Sequence, residues 1–361
     1  MYQKPSMPPA GEAILSGDLE AMRRMIEDGS LLFKKGKVVE LKKNIPIVVR
    51  SGNKEITTYS DAFGFALAHD QIEIAKMLID HNLVDLGPKS DTLYMAIRRK
   101  NFDLLNYMLD HGGKFGQEER DITCLFLHLS QVWDDRCPAL LDRLNLPLRK
   151  LGGKALCWAV HDNNRVVTAY LLKAGVDVNS QNNNLSTPVL LAAASGYTEM
   201  VRFLVEQGAD LTIRDEYGYR PYTAARSNGQ MKTAAFIKSI EPEITEAEQD
   251  ALFKRYHVPI EMQDYFKTGS LLLEFPEGEQ LGWVRLFAYT DVAEISYQGQ
   301  QLLSLVENSE DYSVMLLWEA KSKQIWFLDI EHDVFHAVAP WEAFIKNPGY
   351  YINRAVMWEF D

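Results

Sequence analysis

The chain has 361 residues, of which 47% are hydrophobic and 24% charged, a composition typical of a globular protein rather than a disordered one. At about 150 residues per domain, this length predicts two or three domains. The longest apolar run, residues 188–194, is far shorter than the roughly 20 residues of a membrane-spanning helix. Prolines stand where a signal peptide would have its apolar segment, so we expect a cytoplasmic protein.

The net charge of −12 is concentrated at the C-terminal end. Residues 241–361 hold 22 acidic and 8 basic residues, a net charge of −14, whereas residues 1–240 hold 28 and 30. Five of the seven tryptophans also lie in the last third. We therefore expect two domains of different construction, 1–240 and 241–361. The acidity argues against direct binding of nucleic acid, because phosphate recognition needs basic patches.

The sequence contains no recognisable motif for a cofactor, a metal or catalysis. Three cysteines in no regular spacing predict reduced thiols rather than disulfides. Gly152-Gly153-Lys154 lacks the spacing of a phosphate loop, and His332 and His336 lack the glutamate of a zinc-protease helix. We expect no cofactor, no metal and no enzyme activity. A catalytic site formed by residues distant in sequence, in a cleft between the two domains, is the alternative.

Residues 1–240 contain an internal repeat of 33 residues. Thr187-Pro188 opens an alanine-rich segment that leads to Gly208-Ala209-Asp210. Gly175 lies 33 residues before Gly208, and Arg220-Pro221 lies 33 residues after Thr187-Pro188. This pattern resembles the ankyrin repeat, whose helix pairs stack on one another because none can bury its apolar stripe alone. The resemblance implies an α solenoid of about seven units that ends near residue 240.

An insertion interrupts the repeats near residues 30–58. Its segments 37–41 and 45–50 alternate apolar and polar residues, as strands do. The sequence therefore predicts a β-hairpin inserted after the first unit.

Ankyrin arrays are interaction surfaces, so the resemblance implies a protein partner. Small and apolar residues of the repeats are expected to pack between helices, which leaves hairpin tips and exposed inner-helix positions free for contacts. Solvated surface is the alternative reading of each such residue. The predicted partner contacts in this part are Asn183, Asn184, Tyr197, Glu216, Tyr217, Tyr219 and Arg226.

Residues 241–361 follow a different pattern. Thr245 with Glu248 predicts a helix start, and a second helix is expected from Pro259. Strand-like runs at 271–275, 283–289, 313–318 and 324–328 follow, then a helix at 341–345 that ends before Pro348. This order predicts an α+β domain with an antiparallel sheet.

Two segments of this part, 258–266 and 326–345, are similar to the opening helix and the closing strand and helix of the SUKH superfamily. That family is best known for immunity proteins that neutralise bacterial toxins, many of them nucleases. The resemblance implies a basic toxin domain as partner, which an acidic surface would attract. Acidity that serves only solubility is the alternative. The carboxylates predicted to mimic phosphate are Glu274, Glu277, Glu279, Glu307, Glu310 and Asp311.

The two resemblances together predict a non-enzymatic protein that binds its partner stoichiometrically. The most specific form of this hypothesis is an immunity protein, or antitoxin, that covers the active surface of a toxin. The alternative is a scaffold or regulatory adaptor whose repeats hold a host or cellular protein.

Overall fold

The computed structural model describes residues 9–28, 33–34, 37–38, 45–51, 54–60, 62–276, 280–310, 315–330 and 332–357. The chain divides into two compact units, Met1–Pro147 and Leu148–Asp361. The boundary that we predict from composition, between residues 240 and 241, lies inside the second unit. The last repeats are therefore part of the same compact unit as the acidic C-terminal part.

The described part of the first unit contains four helix pairs. They are α1 (Pro9–Ser16) and α2 (Leu19–Glu27), α3 (Ala62–Ala68) and α4 (Ile72–Asp80), α5 (Thr92–Arg98) and α6 (Phe102–Asp110), and α7 (Glu119–Ser130) and α8 (Arg136–Leu144). Among the first helices α1 contacts α3 and α5 contacts α7, and among the second helices α4 contacts both α2 and α6. Each pair thus shares its apolar faces with its neighbours, as the repeat pattern predicts.

The insertion after α2 forms strands. They are β1 (Phe33–Lys34), β2 (Lys37–Val38), β3 (Ile45–Ser51) and β4 (Lys54–Ser60). β1 pairs with β2, and β3 pairs with β4 along its whole length. Residues 45–51 thus pair with the segment that follows them, whereas residues 37–38 pair with residues 33–34, which precede them.

The second unit begins with three further pairs of the same kind. After the short helix α9 (Leu148–Leu151) come α10 (Gly153–His161) and α11 (Arg165–Lys173), α12 (Pro188–Ala194) and α13 (Thr198–Glu206), and α14 (Pro221–Ser227) and α15 (Met231–Lys238). Thr187 caps α12 by accepting a hydrogen bond from the Leu190 N–H, and Pro188 opens the helix, where its missing N–H has no cost. The inner helices α10, α12 and α14, the first of each pair, stack in this order.

The C-terminal part is α+β, as predicted. It contains α16 (Glu246–Arg255), α17 (Ile260–Thr268), β5 (Leu272–Glu274), β6 (Trp283–Leu286), a 3-10 turn (Tyr289–Asp291), β7 (Ala293–Tyr297), β8 (Gln300–Ser304), β9 (Val306–Ser309), β10 (Met315–Glu319), β11 (Gln324–Asp329), β12 (Val334–Pro340), α18 (Trp341–Phe344) and α19 (Pro348–Val356). A three-stranded sheet has the order β5-β6-β9 and a five-stranded sheet the order β12-β11-β10-β8-β7, both antiparallel. The predicted helix at 341–345 ends before Pro348, but Pro348 itself starts α19, because proline fits the first turn of a helix.

The main core of this part lies between the sheets and the helices. Its largest fully buried side chains are Trp318, Phe253, Phe287, Phe327 and Phe344. The indole of Trp318 donates a hydrogen bond of 2.9 Å to the Tyr256 carbonyl and so ties β10 to the end of α16. A smaller apolar cluster on β7, β8, β10 and β11 contains Ile295, Leu302 and Leu317. Across the described residues, the longest apolar helices fall short of what a membrane span needs.

Candidate protein-binding surface

Trp158 is a large aromatic side chain that α10 leaves exposed. Ala155, Leu156 and Val160 of the same helix are buried in the stack, so the opposite face points outward. The side chain of Trp158 is 46% exposed. Lys154 and His161 share its face, since they lie one turn before and after it. The His161 ring lies edge-on to the indole, with ring centres 5.5 Å apart.

This face borders a groove of about 240 Å³, which we call the Trp158 groove. Its other wall is the loop of residues 182–184, with Leu191 of α12 beneath. The loop is held in shape because the Asn182 side-chain oxygen accepts hydrogen bonds from the Asn184 and Ser186 N–H groups, at 3.0 and 2.9 Å. Asn183 and Asn184 are exposed beside the groove.

The chemistry of the Trp158 groove suits a polypeptide. The indole offers a large, rigid apolar surface, and tryptophan is enriched among the residues that carry binding energy in protein interfaces. The exposed amides of Asn183 and Asn184 can both donate and accept, which matches the N–H and C=O groups of a peptide backbone.

The structure places only two of the predicted repeat contacts at this groove, Asn183 and Asn184. Tyr197 and Glu216 are half-buried. The Glu216 N–H donates a hydrogen bond to the Asn184 carbonyl at 3.1 Å, so the hairpin of Glu216 lies next to that of Asn184. Sequence reasoning missed Trp158. The sequence did contain a signal for it: Trp158 lies between the apolar positions of an inner helix, on the helix face that does not pack against the neighbouring repeats.

The other predicted repeat contacts lie against the C-terminal part. The Tyr219 hydroxyl donates a hydrogen bond of 2.5 Å to the Glu307 carbonyl, and the Tyr219 ring contacts the Phe287 ring edge-on. Tyr217 packs against the smaller apolar cluster. Gly218 between them has φ +88°, and a Cβ there would lie 3.1–3.3 Å from side chains of β7 and β8. The hairpin before α14 is thus covered by the five-stranded sheet.

A buried charge network joins α14 to the C-terminal part. Arg220, whose side chain is 3% exposed, donates to Asp291 at 2.6 Å and lies 3.2 Å from Glu241. Arg226 donates to Glu307 at 2.5 Å and to Asp291 at 3.1 Å. The side chains of Asp291, Glu241 and Glu307 are 5% exposed or less. We call these five residues the charge network.

The charge network corrects an expectation about exposure. The sequence predicts Arg226 and Glu307 as separate exposed contacts for a partner, but the structure buries Glu307 and pairs the two with each other. The physical reason is that the last repeat has no following repeat, so the C-terminal part covers its open side.

The remaining predicted carboxylates differ in their surroundings. Glu274 is exposed. Glu310 is exposed too, and its carboxylate accepts a hydrogen bond from the Gly282 N–H. Glu277, Glu279 and Asp311 lie outside the described residues. Partner binding by these acids stays a prediction.

Burial also changes the acidity of groups near the charge network. It raises the pKa of Asp215 to about 7, although its carboxylate accepts hydrogen bonds from the Tyr217 and Tyr219 N–H groups. Burial raises the pKa of Glu307 above its ordinary value, and the ion pair with Arg226 opposes this. The last hairpin therefore contains a carboxyl group that changes its charge near neutral pH.

Comparison with known proteins identifies the repeats. The family model described as ankyrin repeats (3 copies) matches residues 134–215 and 156–246. The chain is similar to the potassium channel GORK of Arabidopsis thaliana, with 33% identity over 89 residues, 25% of this chain and 11% of the channel. It is also similar to a putative ankyrin repeat-containing protein of Treponema pallidum, with 29% identity over 123 residues, 33% of this chain and 41% of that protein. The chain thus matches less than half the length of these curated relatives.

Among solved structures, the ankyrin repeat domain of Bcl-3 matches with 19% sequence identity and a TM-score of 0.46, over 64% of this chain and all of that domain. The identification rests on the family model, whose matched residues 134–246 include α10–α15. The chain therefore contains ankyrin repeats, which are a non-enzymatic scaffold for binding proteins.

Proposed function

We propose that this protein binds a protein partner stoichiometrically through the Trp158 groove. The observation that carries the proposal is the exposed indole on an inner helix of the repeats, beside a groove bordered by Asn183 and Asn184. A buried tryptophan anchor in an interface typically contributes about 2 kcal/mol or more of binding free energy.

The test uses the full chain as bait in an affinity capture from the source cell's lysate, with bound proteins quantified by mass spectrometry. The baits are the wild type, Trp158→Ala, and Tyr350→Ala as a control with an equally exposed aromatic elsewhere in the same unit. A truncation after residue 240 is unsuitable, because it would leave Arg220 and Arg226 without their partners.

We expect one protein to be retained by the wild type and the Tyr350 variant and lost from the Trp158 variant. Titration of that protein should then give one-to-one binding that weakens at least 30-fold in Trp158→Ala. Equal capture by all three baits would exclude the Trp158 groove as the binding surface.

The more specific function that we propose is toxin neutralisation by an immunity protein. Two observations support it: the similarity of residues 258–266 and 326–345 to the SUKH superfamily, and the net charge of −14 in residues 241–361. A basic toxin domain would be attracted to this charge, and association would be faster at low salt. Of the six predicted carboxylates, Glu274 and Glu310 are exposed within the described residues and are available for this.

This specific function has its own test. The captured partner is expressed alone and together with this protein, and cell growth is measured. Growth arrest that co-expression relieves is expected for a toxin and its antitoxin. The association rate should fall as NaCl is raised, and less steeply in the double variant Glu274→Gln, Glu310→Gln. A harmless partner would instead favour the scaffold or adaptor function and would leave the Trp158 groove as the binding surface.

A further inference from the structure

A second cleft, of about 380 Å³, lies between the last repeat and the three-stranded sheet. Arg226 and Ser227 at the end of α14 and Met231 of α15 form one side, and Arg285 and Leu286 of β6 with Asn308 of β9 form the other. Its size falls within the range of about 300–1,000 Å³ that small-molecule sites occupy. We call it the Arg285 cleft.

The Arg285 cleft has an excess of positive charge. Its lining contains two arginines, Arg226 and Arg285, and one carboxylate, Glu307, which forms an ion pair with Arg226 at 2.5 Å. Arg285 is exposed and forms no ion pair within the described residues, although its positive charge favours the ionised form of the neighbouring Glu307 carboxyl group. Arg285 therefore adds an exposed cation to this cleft, in a part of the chain whose net charge is −14.

The rest of the lining is apolar or donates hydrogen bonds. Leu271 and Ala288 are half-buried, and Met231, which is 62% exposed, offers a flexible apolar side chain. One amide hydrogen of Asn308 is used by the Ser227 carbonyl at 2.9 Å, which leaves the second hydrogen of the same group. An occupant would meet an arginine fork, an amide donor and an apolar surface.

We infer that the Arg285 cleft binds an apolar carboxylate, a compact apolar group that carries one carboxylate. The guanidinium of Arg285 can hold a carboxylate through two parallel hydrogen bonds, while Leu271, Ala288 and Met231 contact the apolar group. This chemistry has two sources, a free organic acid and the C-terminal residue of a peptide.

The experiment is calorimetric titration of the full chain with four probes. The acids are 4-phenylbutyrate and acetyl-Ala-Leu with a free carboxylate, and the neutral controls are the corresponding amides. The proteins are the wild type, Arg285→Gln, Met231→Glu, and Arg354→Gln as a control for the loss of an arginine elsewhere in the same unit. Circular dichroism and melting temperature establish that every variant is folded, which we expect because the altered side chains are exposed or half-buried.

We expect at least one acid to bind the wild type and the Arg354 variant, with binding weakened tenfold or more in Arg285→Gln and in Met231→Glu. The amides should bind at least tenfold more weakly than their acids. Tighter binding of the peptide acid would identify a chain terminus as the source, and tighter binding of 4-phenylbutyrate a free acid. The inference is overturned if neither acid binds at 10 mM, if the amides bind equally well, or if Arg285→Gln leaves the affinity unchanged.

Discussion

The charge network leads to a quantitative prediction for Arg220→Met. Methionine keeps much of the volume of arginine but removes the charge that lies 2.6 Å from Asp291 and 3.2 Å from Glu241. Loss of one partner from a buried ion pair costs about 3–5 kcal/mol, because the remaining charge is buried without compensation. Here Asp291 keeps Arg226, and Glu241 keeps Lys238. We therefore expect the low end of the range, about 3 kcal/mol in the free energy of unfolding.

The assay is urea unfolding followed by tryptophan fluorescence, to which the buried Trp318 and four other tryptophans beyond residue 241 contribute. The matched control is Arg255→Met, which removes the exposed ion pair with Glu294 and should cost about 0–1 kcal/mol. If Arg220→Met is no more destabilising than this control, the charge network does not stabilise the junction, and the reasoning from burial is refuted.

Three further predictions concern other positions of the second unit. The difference in the free energy of unfolding between Asp215→Asn and the wild type should change with pH. The pKa of Asp215 is about 7 in the folded state and 3.8 ordinarily, so this group makes the wild type less stable as pH rises between these values. The variant lacks this decrease. Unfolding at pH 5 and pH 8 measures it, and a constant difference would contradict it. Gly218→Ala should destabilise the fold by about 1 kcal/mol more than Gly208→Ala. Both glycines have φ near +90°, but only at Gly218 would the new Cβ contact other side chains. Equal melting temperatures of the two variants would contradict this. Trp318→Phe should cost about 2 kcal/mol or more, since it leaves a cavity and a buried Tyr256 carbonyl without its donor; an unchanged calorimetric melting temperature would contradict this.

The repeats could be predicted from the sequence because their structure is local. At 33-residue spacing Pro188 recurs as Pro221 in a first helical turn, and Gly208 recurs as Gly175 in a left-handed turn. The helix pairs therefore follow from patterns within one repeat. The same locality explains why Asn183 and Asn184 were correctly expected to be exposed at a hairpin tip.

The strands of the C-terminal part were only partly predictable. The four strand-like runs correspond to β5, β6, β10 and β11 where the structure describes them, whereas β7, β8, β9 and β12 were missed. β7 and β8 contain polar residues because one face is exposed, but Ala293 and Ile295 alternate with them and are buried. Gln298 and Gly299 between these strands both have positive φ, which is typical of a tight hairpin turn, so a readable signal was present.

The burial of the last hairpin could not be read from neighbouring residues, because its partners are distant in sequence. Arg226 meets Glu307 across 81 positions. A clue exists at Arg220, which stands where Thr187 stands one repeat earlier, and Thr187 is fully buried. An arginine at a buried position requires carboxylates nearby, although the repeat pattern does not say which.

The separation of Arg220 from Asp291 also matters while the chain is being made. Asp291 follows Arg220 by 71 residues, which at about 5–20 residues per second means that roughly 4–14 seconds pass on the ribosome before the partner exists. During that time Arg220, which is buried in the folded protein, has no carboxylate of Asp291 to pair with, and the hairpin before α14 is not covered by the sheet. The upstream helix pairs gain their stacking neighbours soon after synthesis, whereas the hairpin before α14 stays uncovered until β7 and β8 have been made.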